Sequence, residues 1–291
     1  AIDAADLVLS IGFDMVEYHP SLWNTDGDKS IIHVDFQPAE IDSAYHPEIE
    51  LVGDIADTLK VLLDELKKHG EFDFNLAQQA RIRDEMRAEF TAYGDDKTSG
   101  IIKPQKVLHD VQKVYAEDGL LLSDVGAHKM WIARHYHCKT PNGCLIPNGF
   151  CSMGFALPGA IAASIVDPQR KILGIAGDAG FLMNVQEMET AARLNSNITM
   201  MVWEDHMYGL IAWKQSAHFG KHTELSFTNP DWGLLAKSFR WDYQFVGESD
   251  QLLAALNKAA SHHGPSLIVV PIDYSENEKL TQQLGELTCT I

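Results

Sequence analysis

Two apolar runs that each end in an acid constrain this chain more than any other feature. Lys171-Ile172-Leu173-Gly174-Ile175-Ala176 leads into Gly177-Asp178-Ala179-Gly180, and Ile198-Thr199-Met200-Met201-Val202-Trp203 leads into Glu204-Asp205-His206-Met207-Tyr208. Short apolar runs closed by turn residues read as strands buried in a parallel sheet. The pattern therefore sets a glycine-flanked acid and a second acid at the ends of two neighbouring strands, 27 positions apart. A magnesium–diphosphate site needs such a pair: magnesium is held by one or two carboxylates plus phosphate oxygens, and the N–H groups of a helix start favour the anion. Taken alone, Gly177–Gly180 would be any tight turn after a buried strand; the acid at the neighbouring strand end supplies the second oxygen ligand that such a site needs.

The same alternation of strand and helix runs along the chain and implies parallel sheets. Residues 1–66 carry strands at Leu7–Gly12 (read as buried), Ser30–Asp35 and Leu51–Asp54, then an amphipathic helix over Ile55–Leu66. Residues 67–103 read as a polar helical linker, helical over Gln78–Phe90 and turning at Gly94–Lys97. Residues 104–291 form a second α/β unit, with strands at Gly119–Asp124, Lys171–Ala176, Ile198–Trp203 and Ser266–Pro271. Helices fall at Gln105–Tyr115 and near Phe155–Ile165, Val185–Leu194, Trp232–Ser238 and Ser249–Ala260. The expected fold class is α/β: a doubly wound parallel sheet preceded by part of a Rossmann-like central domain, with ligands at the carboxyl ends of the strands. Ala1 is not an initiator methionine, and the first strand has no unit before it, so the expectation is the carboxy-terminal part of a longer polypeptide.

Composition narrows the partners. With 41 acidic against 23 basic residues the net charge is −18, which disfavours a nucleic-acid backbone as partner. No apolar run approaches the ~20 residues of a membrane helix, so no membrane association is expected. Cys138, Cys144, Cys151 and Cys289 do not space as a disulfide scaffold, which favours a reducing, cytoplasmic setting. His135-x-His137-Cys138 with Cys144 can be drawn as a zinc site, but structural zinc pairs show wider, more regular spacing; the plainer reading is a helix end running into a loop at Pro141-Asn142-Gly143.

The acid pair has informative flanks: Asn148-Gly149-Phe150-Cys151-Ser152-Met153-Gly154 with Ala156-Leu157-Pro158-Gly159-Ala160, Glu187-Met188-Glu189-Thr190-Ala191, and Gly264–Asn277 near the end. Together with Gly-Asp-Ala and its spaced acid, they resemble the thiamine-diphosphate-dependent enzymes, in particular the acetolactate synthase branch, over essentially the whole chain. The resemblance implies that Asp178 and Asp205 ligate Mg2+ by their side chains and Met207 by its backbone carbonyl. It implies that Gly177, Ala179 and Gly180 let the backbone approach the diphosphate, that Gly126, Ala127 and His128 contact it, and that Ser152, Met153 and Tyr208 border the cofactor. Met153 matches the large apolar residue that props thiamine diphosphate in its bent shape. Each assignment has a plainer counterpart: a helix N-cap for Asp178, a helix-start residue bonded to backbone for His128, a core residue for Met153. Trp213, Lys214 and Gln215 follow on a helix that is either near the pocket or half core and half solvent face.

Flavin-binding members carry an Arg-Phe-Asp-Asp-Arg-like segment after the first strand. Here the stretch is Gly12-Phe13-Asp14-Met15-Val16-Glu17-Tyr18, without its basic residues, so the likeness is to the catabolic, FAD-independent type and FAD is not expected. In that branch two pyruvates condense to 2-acetolactate and CO2 through the thiamine diphosphate ylid. The glutamate that activates the cofactor belongs to an amino-terminal pyrimidine-binding domain with no counterpart here, and sites form between subunits of a homo-oligomer (dimer or tetramer). The isolated chain is therefore expected to be silent or nearly so. Another thiamine-diphosphate 2-oxo acid decarboxylase or carboligase, or a non-catalytic binding module, remain as alternatives. A nicotinamide dehydrogenase is disfavoured by the lack of a G-x-G-x-x-G turn after a strand.

Overall fold

A computed structural model describes residues 2, 5–15, 19–72 and 74–283. Val16, Glu17 and Tyr18 of the stretch compared with the flavin pattern, and Cys289, lie outside the described residues. The chain divides into two compact units, Ala1–Glu85 and Met86–Ile291.

In the first unit β1 (Leu7–Ile11), β2 (Ser30–Asp35) and β3 (Ile49–Val52) form a parallel sheet in the order β1-β2-β3, and α1 (Ile55–Lys68) follows. Asp54 caps α1 through a 2.9 Å bond from Asp57 N–H, and Lys67 and Lys68 close its last turn, favourably placed for the helix dipole. The burial expected of the first strand is not found. β1 is an edge strand, and its alternate side chains Leu7, Leu9 and Ile11 lie on an exposed face. The interior instead gathers around Tyr45, whose hydroxyl meets Ser10 Oγ at 2.6 Å and His33 Nδ1 at 2.9 Å.

The helix α2 (Ala77–Ala92) spans the boundary between the units. The second unit then runs α3 (Pro104–Tyr115), β4 (Leu120–Ser123), α4 (Ala127–His135), β5 (Cys144–Leu145), α5 (Ala156–Val166), β6 (Ile172–Gly177), α6 (Asp178–Met183), α7 (Glu187–Leu194), β7 (Ile198–Glu204), α8 (Gly209–Phe219), α9 (Trp232–Ser238), β8 (Asp242–Phe245), α10 (Leu252–Ser261), β9 (Ser266–Pro271) and α11 (Asn277–Gln283). Its strands are all parallel, in the order β5-β4-β6-β7-β9-β8. The short strands β5 and β8 and the last helix are additions to the sequence expectation. A two-residue strand such as β5 carries too little pattern to be seen in the sequence.

Period-two alternation divides the buried strand residues between two cores. Met201, Trp203, Ile268 and Val270 point to one face, where Val107, Leu108 and Val111 of α3, Trp131 and Ile132 of α4, and Leu252 and Leu256 of α10 cover them. Met200, Val202, Leu267 and Val269 point to the other, against Ala156, Leu157 and Ile161 of α5, Met188 of α7 and Trp232 of α9. This is the doubly wound arrangement. After β4 the chain turns to the α4 face, and after β6 to the α5–α7 face. Departing in opposite directions, the two connections open a crevice at the carboxyl ends of the sheet.

Glu276 ties the start of α11 to the start of α3. Its carboxylate accepts bonds from Lys103, from Gln105 Nε2 at 3.0 Å and from Lys279 Nζ at 3.0 Å, while the neighbouring Asn277 Oδ1 accepts the Trp131 indole N–H at 2.7 Å. Burial favours the neutral acid, but the bonds from Lys103, Lys279 and Gln105 outweigh it and hold the carboxyl at about 2 against an ordinary 4.5. A depressed folded pKa stabilises fully above the unfolded value and loses that contribution as pH falls through the window from about 4.5 to 2. Glu276→Gln is expected to lower stability by about 2 kcal/mol at neutral pH. In urea titrations across pH, the gap between the two proteins should shrink steadily below pH 4.5.

Candidate functional site

The crevice is a cleft lined from three strand-end turns and a loop. Gly126, Ala127 and His128 come from the turn after β4, Gly177, Asp178, Ala179 and Gly180 from the turn after β6, Asp205, Met207 and Tyr208 from the turn after β7, and Met153 from the loop before α5. Ser152 does not line it: its side chain is exposed and its hydroxyl donates to the Met153 carbonyl at 3.1 Å. Trp213, Lys214 and Gln215 lie on α8 away from the lining; Trp213 packs against the core and Gln215 Oε1 accepts the Thr223 N–H at 3.2 Å. Val125, Gly209, Leu210, Ile211 and Tyr274 also line the cleft and carried no signal of their own.

Asp178 is the first residue of α6, one position past the cap residue Gly177. Its carboxylate is saturated with donors: Oδ1 accepts Ala179 N–H at 2.8 Å, and Oδ2 accepts Asp205 N–H at 3.2 Å, His206 N–H at 2.8 Å and Asn229 Nδ2 at 2.9 Å. These bonds hold the turn after β7 in an unusual shape. His206 sits in the left-handed region at φ 56°, which costs a non-glycine residue about 1 kcal/mol or more. Its carbonyl accepts Phe227 N–H at 3.0 Å and Met207 bridges to Ser226, so the turn is clamped on both sides.

Desolvation in the cleft, and then the Asp178 carboxylate, push Asp205 up to about 7. Two acids facing one cleft without a counter-charge repel each other, and a divalent cation between them relieves that repulsion. The Tyr274 phenol is also raised well above its ordinary value, by desolvation and then by Asp205 and Asp178, so it stays protonated beside the acids.

Asp124 organises the opposite wall. This fully buried carboxylate accepts Val125 N–H at 2.7 Å and Gly154 N–H at 2.9 Å on Oδ1, and Ala156 N–H at 2.9 Å on Oδ2. It thereby fastens the loop that presents Met153 to the end of β4. Gly154 is required in that loop: its φ is 87°, and a Cβ there would lie 2.6 Å from Asn184 Nδ2. A Cβ on Gly180 would press on Asp124 Oδ1 at 3.0 Å, so the α6 turn and this wall approach closely.

His128 sits between the two walls, fully buried, edge-on to Trp203 with ring centres 6.2 Å apart. Burial pushes it down to about 4, against the opposing pull of the Asp124 carboxylate and backbone, so the ring is neutral at physiological pH. Its Nε2 is buried without a partner. An orphaned nitrogen at the cleft, two converging acids and glycine-lined walls fit a metal-bound diphosphate.

Comparison with known proteins bears on the cofactor. Residues 124–270, half of the chain, match the description "Thiamine pyrophosphate enzyme, C-terminal TPP binding domain", and residues 1–62 match "Thiamine pyrophosphate enzyme, central domain". The chain belongs to the thiamine pyrophosphate enzyme family. Among curated relatives, the acetolactate synthase of Bacillus subtilis (strain 168) is 34% identical over 99% of this chain and 51% of its own length. The catabolic acetolactate synthase of Raoultella terrigena is 33% identical over 96% and 50%, and the isozyme 2 large subunit of Escherichia coli (strain K12) is 30% identical over 95% and 50%. The chain thus spans about half the length of the curated relatives it matches.

Among the described residues no group of three or more His, Cys, Asp and Glu side chains is arranged to hold a metal ion, and the zinc drawing from His135, His137, Cys138 and Cys144 falls within that statement. His135 instead stacks on Trp131 at 5.5 Å and on Phe90 at 5.9 Å. Nor is any helix among them long and apolar enough to cross a membrane.

The residues that the sequence did not single out, Asp124, Glu204 and Asn229, act on the site through hydrogen bonds to neighbours distant in sequence. For Asn229-Pro230-Asp231 the legible signal is a turn before a helix, and nothing local reveals its target. Asp124→Ala is expected to cost about 3 kcal/mol, because three N–H groups, two of them buried, lose their acceptor. The shift of the urea midpoint against the parent measures it.

Proposed function

We propose that this chain provides the diphosphate- and magnesium-binding half of an acetolactate synthase active site. The observation that carries the reading is the convergence of Asp178 and Asp205 on one cleft at the carboxyl ends of β6 and β7. Asp178, Asp205 and the Met207 carbonyl hold Mg2+. Gly126, Ala127, Gly177, Ala179 and Gly180 bring backbone close to the diphosphate, and His128, neutral and with Nε2 free, donates or accepts a hydrogen bond there. Met153 supports the cofactor's bent shape, and Leu210 and Ile211 add apolar surface that excludes water. Thiamine diphosphate, when bound, supplies an electron sink for the keto carbon of a 2-oxo acid.

The names of the relatives favour acetolactate as the product, which two pyruvates give with loss of CO2. The lack of basic residues in the stretch 12–18 favours a flavin-free type, and the same reading includes a cytoplasmic homo-oligomer. The residue that activates the cofactor ring then comes from a pyrimidine-binding domain outside this chain, which on its own binds cofactor without turnover. Within this reading, residues 1–66 are the carboxy-terminal half of the central domain, 67–103 a helical linker and 104–291 the diphosphate- and magnesium-binding domain.

Calorimetric titration with thiamine diphosphate, with and without magnesium, tests the reading. Saturable binding that requires magnesium is expected, weakened by about 100-fold or more in Asp178→Ala, since a missing ligand exceeds the 10- to 100-fold typical of supporting residues. Binding that is indifferent to magnesium and to the substitution would overturn the metal assignment. With the pyrimidine-binding domain restored, acetolactate rather than free aldehyde as the product of pyruvate separates a synthase from a decarboxylase.

A further inference from the structure

We propose that Asn229 is a positioning residue for Asp178, itself held in orientation by Glu204. The proposal rests on the reading of Asp178 as a magnesium ligand and extends it to side chains that no comparison assigns.

The amide nitrogen of Asn229 lies 2.9 Å from Asp178 Oδ2 and 2.9 Å from Glu204 Oε1, with His206 Nδ1 at 3.2 Å. An amide nitrogen has two hydrogens, and the two carboxylates take both. Turning the amide over would set its oxygen against two negative charges, so the pair of acids dictates which way Asn229 points. Its Oδ1 is buried without a partner, which marks the nitrogen as the end that does the work.

Glu204 is fixed in turn. Its Oε1 accepts the Trp232 indole N–H at 2.6 Å, and Trp232 is a buried residue at the first position of α9. That helix start is capped by Asp231, whose Oδ1 accepts Leu234 N–H at 2.9 Å. A line of side chains therefore runs from a rigid helix terminus through Trp232, Glu204 and Asn229 to Asp178.

The other donors to Asp178 are backbone groups. Those of Asp205 and His206 belong to the strained turn that Asp178 itself holds, so they cannot fix the carboxylate independently. Among the described residues Asn229 is the one side chain that donates to Asp178, and it does so from outside that turn. A ligand oriented by a neighbour before the metal arrives binds it more tightly, because less freedom is lost on binding.

The test titrates thiamine diphosphate into the parent chain and into Asn229→Leu, an uncharged replacement of similar size without donors, over a series of magnesium concentrations. The half-saturating magnesium concentration is expected to rise about 10-fold or more in Asn229→Leu. Cofactor affinity at saturating magnesium should return to that of the parent, while the thermal midpoint without metal or cofactor falls modestly because two carboxylates lose a donor. A residue that merely supports the fold would move the midpoint and leave the magnesium requirement alone. Glu204→Gln, which keeps an acceptor for Trp232 but removes the charge that orients Asn229, should shift the magnesium requirement in the same direction. An unchanged requirement in folded Asn229→Leu overturns the proposal; if that variant does not fold, an unchanged requirement in Glu204→Gln does so. If the parent shows no magnesium-dependent binding, the cofactor reading fails first and takes this proposal with it, an outcome distinct from a defect confined to the variants.

Discussion

The carboxylate of Asp178 accepts four hydrogen bonds, from Ala179, Asp205, His206 and Asn229, and through them the ends of two strands become one rigid surface. A buried carboxylate is tolerated only where donors replace the water it has lost. Here those donors are the backbone of the next strand's turn, so satisfying the charge and shaping the site are the same event. The left-handed His206 persists because its N–H completes that coordination. Asp205, held beside an acid already saturated with donors, takes up the electrostatic conflict and is raised to about 7. A cleft arranged this way has an electrostatic demand for a cation before any ligand enters.

That surface exists because of how the sheet is wound. Residues of alternating direction on β7 and β9 feed two separate cores, so helices must cover both faces, and successive connections have to choose a side. The choice reverses between β4 and β6, and the space it leaves is where the glycine turns, His128 and the two acids meet. Asp124 repeats the device of Asp178 on the opposite wall: a carboxylate at a strand end gathers three N–H groups and thereby sets a loop, here the one bearing Met153. Two buried acids, each serving as a local scaffold, account for most of the cleft's shape.

The strands over Ile198–Trp203 and Ser266–Pro271 and the glycine turn at Gly177–Gly180 were legible because their signals are local: unbroken apolar runs, and small residues where backbone must approach closely. The placement of Gly126, His128, Met153, Asp178 and Asp205 in one cleft followed from their positions at strand ends. The short strands β5 and β8 were not legible, since a few residues cannot show a period. Ser152 shows the limit of reading a motif as a block. Its neighbour Met153 reaches the cleft, while Ser152 turns to solvent on a loop whose neighbouring residue, Cys151, has φ 52°.

By itself the sequence determined the parallel α/β class and the positions where acids and glycines end strands, because each follows from periodicity and side-chain chemistry within a few residues. Only the tertiary structure decided that Asn229 and Glu204 stand behind Asp178, that Asp124 clasps the Met153 loop, and that His128 is buried with a nitrogen to spare. Hydrogen bonds across 25 to 51 positions depend on how strands are ordered and how loops return over them, and no local pattern of residues encodes that return.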